Sequence, residues 1–173
     1  NTNTAIGYES LYTNTQGDRN TAIGHGALYT MNPSGNADSY NTGVGFYALY
    51  ANTTGYRNTA VGGLALDANT VANDNTAVGY QSLNANTTGT DNVAVGASAL
   101  DANTTGFSNV AVGKSALGSN TTAHSNVAIG LTSLFTNTTG SRNTAVGRDC
   151  LKANTTGESN VAVGANALDS NTT

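Results

Sequence analysis

The stretch from Asn92 to Gly106 returns with small changes at Asn109 and again at Asn126, each time after 17 residues. A short fixed period is the signature of a repeat architecture, in which each unit buries its apolar side only by stacking on the next. Aligned on the asparagine, ten copies start at Asn3, Asn20, Asn41, Asn58, Asn75, Asn92, Asn109, Asn126, Asn143 and Asn160. Every interval is 17 residues except the second, which is 21. The four extra residues fall within residues 30–40, around the only proline, Pro33. The next copy resumes in register, so the insertion is expected to loop out of the coil at a surface corner. The whole chain, residues 1–173, reads as one repeat domain.

Numbering each copy from its asparagine, position 5 is always Gly and position 9 always Leu. Position 3 is Ala except for Gly43, position 4 only Ile or Val, and position 8 Ala, Ser or Cys150. Asn, Thr, Val and Gly are poor helix formers. Thr/Val-Ala-Val/Ile, bounded by Asn and Gly, predicts a short strand, and Ala/Ser-Leu a second extended stretch. Asn-Thr-Thr-Gly, as at Asn52 to Gly55, predicts a turn in which Gly supplies the positive φ. Two strands and two corners per copy describe an all-β fold, a β-solenoid (β-roll or β-helix) of ten 17-residue coils.

Coils of this kind stack about 4.8 Å apart, giving a rod roughly 48 Å long. Equivalent residues then form columns. The Ile/Val and Leu columns are expected to make a dry core, with the isosteric Thr/Val column at position 2 also packing inward. Asn92, Gly96, Leu100 and Asn103 mark the structural ladder of one coil, the asparagines stacking as amide ladders that satisfy corner backbone groups. The small residues at positions 3 and 8 suggest a flat face where a second backbone approaches, which favours several chains side by side. A flattened monomer whose sheets touch through Ala is the alternative.

The motifs Asn92 to Gly96 and Asn126 to Gly130 resemble the head repeats of trimeric autotransporter adhesins, which are β-rolls built by three chains. The longer unit, with its Leu-x-x-Asn-Thr-Thr-Gly limb, is similar to arrays in phage tail-fibre-like and bacterial surface proteins. The resemblance implies a fibre protein at a cell surface or on a virion, outside the cell. It implies copies of the chain as partners, in a homotrimer or a filament, and contact with a cell-surface glycan or host surface. The start Asn1-Thr2-Asn3, without Met, suggests a processed chain or a segment of a longer repeat protein.

Composition narrows the alternatives. Charged residues make up 9% of the chain and apolar residues 38%, which argues against disorder. The formal net charge of -4 offers no electrostatic reason to bind nucleic acid. No apolar run approaches the roughly 20 residues of a membrane span, so no membrane insertion is expected. Cys150 is the only cysteine, which excludes an internal disulfide and a thiolate zinc cage. The carboxylates scatter over variable positions. Asp67 and Asp101 share position 10, but Asn84 lies between them, so they make a poor glycosidase pair. His25 and His124 are five copies apart and each reads as a surface residue. No catalytic set, cofactor site or metal site is expected.

The aromatics are uneven. Tyr12, Tyr29 and Tyr50 share position 10 in three successive copies and should stack; with Phe46 and Tyr47 they form the candidate contact patch. Extra cross-strand packing at one end of the rod is the blander reading of these rings. Asn-Thr-Thr also satisfies the glycosylation sequon, at Asn52 and six later sites, although a turn needing Asn and Thr meets that pattern by construction. The function expected is a non-catalytic structural component of an extracellular fibre or filament. The alternative is an ice-binding β-solenoid with ranked threonines, and a carbohydrate-active solenoid enzyme stands further off.

Overall fold

The structure, a computed structural model, describes residues 2–35 and 37–173. Asn1 and Asn36, within the chain start and the insertion discussed above, lie outside the described residues. Positions 2–4 of each copy form a three-residue strand, because β-branched residues on either side of Ala suit an extended backbone. The strands are β1 (Thr4–Ile6), β2 (Thr21–Ile23), β3 (Thr42–Val44), β4 (Thr59–Val61), β5 (Thr76–Val78), β6 (Val93–Val95), β7 (Val110–Val112), β8 (Val127–Ile129), β9 (Thr144–Val146) and β10 (Val161–Val163). They form one parallel sheet in chain order. Pairing is copy on copy, as Ala77 opposite Ala94. The chain is an all-β solenoid.

Only one strand forms per coil among the described residues, not the expected two. The Ala/Ser-Leu segment is a series of turns that bond to the neighbouring coil: Leu100 N donates to Ala116 O (3.0 Å) and Ala102 N to Gly118 O (3.2 Å). Its leucines are left-handed, with φ of 52° at Leu100 and 51° at Leu117. That conformation costs an L-residue roughly 1–2 kcal/mol. The leucines keep it because each side chain from Leu28 to Leu151 is fully buried.

The core also differs from the expected one. A strand alternates faces, so the Ala that points inward at position 3 forces positions 2 and 4 outward. Ala22, Ala60, Ala77, Ala94, Ala111, Ala128 and Ala145 are buried with the leucines and with the position-8 residues Ala99, Ala116 and Cys150. Ile23, Val61, Val95 and Ile129 are exposed. Gly43 shows what limits position 3: a Cβ there would sit 3.1 Å from Ala48 O and 3.5 Å from Leu28 Cγ. The small residues therefore fit a narrow interior against the chain's own Leu column. They do not form a flat outer face.

In most coils two asparagines line the interior beside its apolar residues. Asn92 Nδ2 and Asn103 Nδ2 each donate to Gly106 O, both at 2.9 Å. Asn103 Nδ2 also reaches Asn86 Oδ1 at 2.8 Å, and Asn120 Nδ2 reaches Asn103 Oδ1 at 2.8 Å. Asn109 N donates to Asn92 Oδ1 at 3.0 Å. Two amide ladders thus hold this corner of the coils from Asn52 onward, at fully buried side chains whose polar atoms would be costly without partners. The turn glycine does not supply a positive φ. That role falls to position 5: Gly96 has φ 136°, and a Cβ on it would lie 2.6 Å from Gly113 O.

The insertion leaves the rungs after Asn32, whose N bonds to Thr53 O at 3.0 Å, and rejoins them at Ala37, whose O accepts from Asp18 N at 3.0 Å. Between these points it is tied to the first coil, with Gly35 N donating to Gln16 Oε1 at 2.5 Å and Pro33 buried. Met31 replaces the position-12 asparagine and is fully buried.

Candidate functional site

Two surfaces stand out. The first is the outward face of the sheet, carrying Thr or Val at position 2 and Val or Ile at position 4 of every coil. None of the chain's 16 charged residues (6 basic, 10 acidic) lies on it. Elsewhere the exposed positions vary freely: position 6 alone runs through Tyr8, His25, Phe46, Gly63, Tyr80, Ala97, Lys114, Leu131, Arg148 and Ala165. Sequence reasoning assigned the β-branched columns to the core. The signal that places them outside is the strand alternation about an Ala that only the interior requires.

The second surface is aromatic and lies at one corner of the first three coils. Tyr12 stacks on Tyr29 with centroids 5.2 Å apart and planes 9° off parallel, and Tyr29 on Tyr50 at 5.0 Å and 20°. Equivalent positions one rung apart dictate this, since rung spacing brings like rings close to stacking distance. Tyr47 leans across Gly26 to meet Tyr50 at 4.5 Å and stacks on Phe46 at 4.1 Å. A side chain on Gly26 would strike the Tyr47 ring, its Cβ lying 2.6 Å from Tyr47 Cδ1. Two residues absent from the expected patch complete it. His25 contacts Tyr8 at 5.1 Å and Phe46 at 5.4 Å. Both were legible, because Tyr8, His25 and Phe46 share position 6. The Glu9 carboxylate holds the Tyr8 hydroxyl above its ordinary range, through a hydrogen bond first and its charge second.

The remaining polar chemistry is the pairing of surface charges, some between rungs and some within one. Arg57 binds Asp74 through Nε at 2.6 Å and Nη2 at 2.8 Å, which holds that carboxyl below its usual range. Arg19 pairs with Asp38 at 3.0 Å, and Arg142 with Glu158 at 2.5 Å. Asp149 accepts from Thr132 Oγ1 at 2.6 Å and from Lys152 at 3.0 Å, which lowers its pKa. Partial burial instead raises Asp67 and Asp101, two rungs apart, with Asn84 between them donating to Leu64 O at 3.2 Å. His124 is not a bare surface residue: its ring stacks on Phe107 at 4.7 Å. Cys150 Sγ donates to Ala162 O at 3.3 Å, as Ser82 and Ser133 donate to the equivalent carbonyls, and burial pushes its thiol pKa up.

Among the described residues no group of His, Cys, Asp and Glu is placed to hold a metal, and no pocket forms. The sequon asparagines from Asn52 to Asn154 are fully buried with their amides engaged, as Asn86 Nδ2 is with Gly89 O at 2.9 Å. The folded chain therefore leaves no room for an oligosaccharide on them. No protein-family model, curated protein or solved structure matches the chain.

Proposed function

We propose that this chain is a rod-shaped structural segment of an extracellular fibre or filament, at a cell surface or on a virion. It acts by assembly and surface contact, without catalysis. One observation carries the reading: all ten coils repeat Asn at position 1, Ala or Gly at position 3 and Leu at position 9, while the widest variation falls on exposed positions such as position 6. A constant interior with a variable exterior is the arrangement of a spacer that presents contacts along its length. Its partners are other copies of the chain. The aromatic corner, with Tyr12, Tyr29, Tyr50, Phe46 and Tyr47, provides the contact to a cell-surface glycan or host surface, since exposed aromatic clusters mark interfaces.

Small-angle X-ray scattering and electron microscopy of the purified chain test this. The expected result is a narrow particle with a long axis of about 45 Å or a multiple of it, or continuous filaments. A compact globular particle, or turnover of an added polysaccharide, would sink the reading. Replacing Tyr12, Tyr29 and Tyr50 together with Ser should weaken binding to cells or glycans, and unchanged binding would reject the patch as a contact.

A further inference from the structure

The outward sheet face has a property that a solvated strand surface does not need. Solvated positions on the outer face of a half-buried sheet accept Lys, Glu, Arg or Gln. Here positions 2 and 4 hold only Thr, Val or Ile in all ten coils, and Ile23, Val61, Val95 and Ile129 remain 36–40% exposed within the stack. β-Propensity alone favours these residues, but it also favours Tyr, Phe and Trp, which never occur there. Position 6, one residue past the strand's closing glycine, admits Lys114 and Arg148 freely.

We infer that this face is where a second copy of the chain packs, side by side, the partner within the fibre reading above. The uniformity over ten rungs is what selects the occupant. A globular partner would hold only a local patch constant and leave the other coils free to vary. A partner that constrains every rung must share the period of about 4.8 Å, and a second solenoid does. The exchange of Thr for Val at Val93, Val110 and Val127 keeps the side-chain shape and discards the hydroxyl on three successive rungs. A packed second copy reads shape, whereas an ice lattice held through hydroxyls would lose them there.

The area suffices. Ten rungs and a strip about 10 Å wide offer on the order of 500 Å² per chain. Two faces then bury about 1,000 Å², the size at which specific interfaces begin.

Sedimentation velocity on the full chain tests the inference. The wild type should sediment as a multiple of 17.4 kDa. The variant Val61→Lys/Val95→Lys/Ile129→Lys, altered on alternate rungs, should fall to the monomer mass. Its dissociation constant should rise on the order of a hundredfold, since the charges would be buried unpaired. The matched control Gly63→Lys/Ala97→Lys/Leu131→Lys changes position 6 of the same three coils and should assemble as wild type does. The milder Val61→Ala/Val95→Ala/Ile129→Ala removes the side-chain shape without adding charge and should weaken assembly with an unchanged circular dichroism spectrum, which guards against misfolding of the lysine variant. A monomeric wild type, or an oligomer that survives the three lysines, overturns the inference. So does a monomer that depresses freezing in a thermal-hysteresis assay, which would assign the face to ice. A monomer that still scatters as a narrow rod refutes this interface and leaves the rod itself standing.

Discussion

In the coils from Asn52 onward the position-12 asparagines run unbroken, each amide reaching the one before it: Asn86 to Asn69 at 3.1 Å, Asn103 to Asn86 at 2.8 Å, Asn154 to Asn137 at 3.0 Å. In the coil that begins at Asn20 the place belongs to Met31, whose sulfur receives Asn52 Nδ2 at 3.1 Å. The inner ladder is therefore interrupted in the coil that carries the insertion. That coil also holds the middle rung of the outer ladder, with Tyr29 between Tyr12 and Tyr50. Beyond it, position 10 becomes Asp67, Asn84, Asp101 and Gly118, and the rings no longer continue. The two regions show that the Leu column and the position-1 asparagines are shared, while the second amide ladder can lapse where outside stacking is available.

The largest expected effect tests the shared part. Leu100→Ala and Leu28→Ala should each lose about 2–5 kcal/mol in urea unfolding, because both side chains are fully buried. If the leucine cost differs sharply between the two coils, the interior is not common to both regions. Next, Asn103→Ala removes donors from Gly106 O and Asn86 Oδ1 and should cost about 1–3 kcal/mol. Met31→Leu, at the same position, should cost under about 1.5 kcal/mol. Equal losses in chemical denaturation would erase the distinction between the coils.

Tyr29→Ser breaks two ring stacks and should lower stability by about 1 kcal/mol, read as a drop in Tm. An unchanged Tm would reduce the ring ladder to a surface feature without structural weight. The smallest effect is one of pH. Burial raises the Asp101 carboxyl, so the fold favours its protonated form. That contribution is fully present below the unfolded value of about 3.9 and is lost as pH rises through the raised folded value. Asp101→Asn should therefore raise stability at pH 7, by within about 0.5 kcal/mol and read as a small rise in Tm, and leave it unchanged at pH 3. Equal melting points at pH 7 would remove desolvation as the distinction between this column's acidic and aromatic ends.

Much of the rod was legible from residues. The period of 17 set the coil, the invariant asparagines announced the amide ladders, and the tyrosines at 12, 29 and 50 were expected to stack before any coordinate was known. The direct contact of Tyr47 with Tyr50 was not legible, because Tyr47 reaches it only across Gly26, a contact between neighbouring coils. The facing of Val95 was misjudged for a different reason. Apolar character suggests burial, but the interior beside Leu100 has room only for Ala94, and alternation then turns Val93 and Val95 outward.

The sequence by itself determined the repeat, its parallel register and the identity of each column, because copies 17 residues apart can stack only on their equivalents. The tertiary structure alone decided the conformation of the leucine limb and the side of the sheet that faces solvent. Local propensity would never choose a left-handed leucine, at φ 52° in Leu100. It persists because the bonds and burial it gains exist only once a neighbouring coil is in place, and propensity describes a chain before that neighbour arrives.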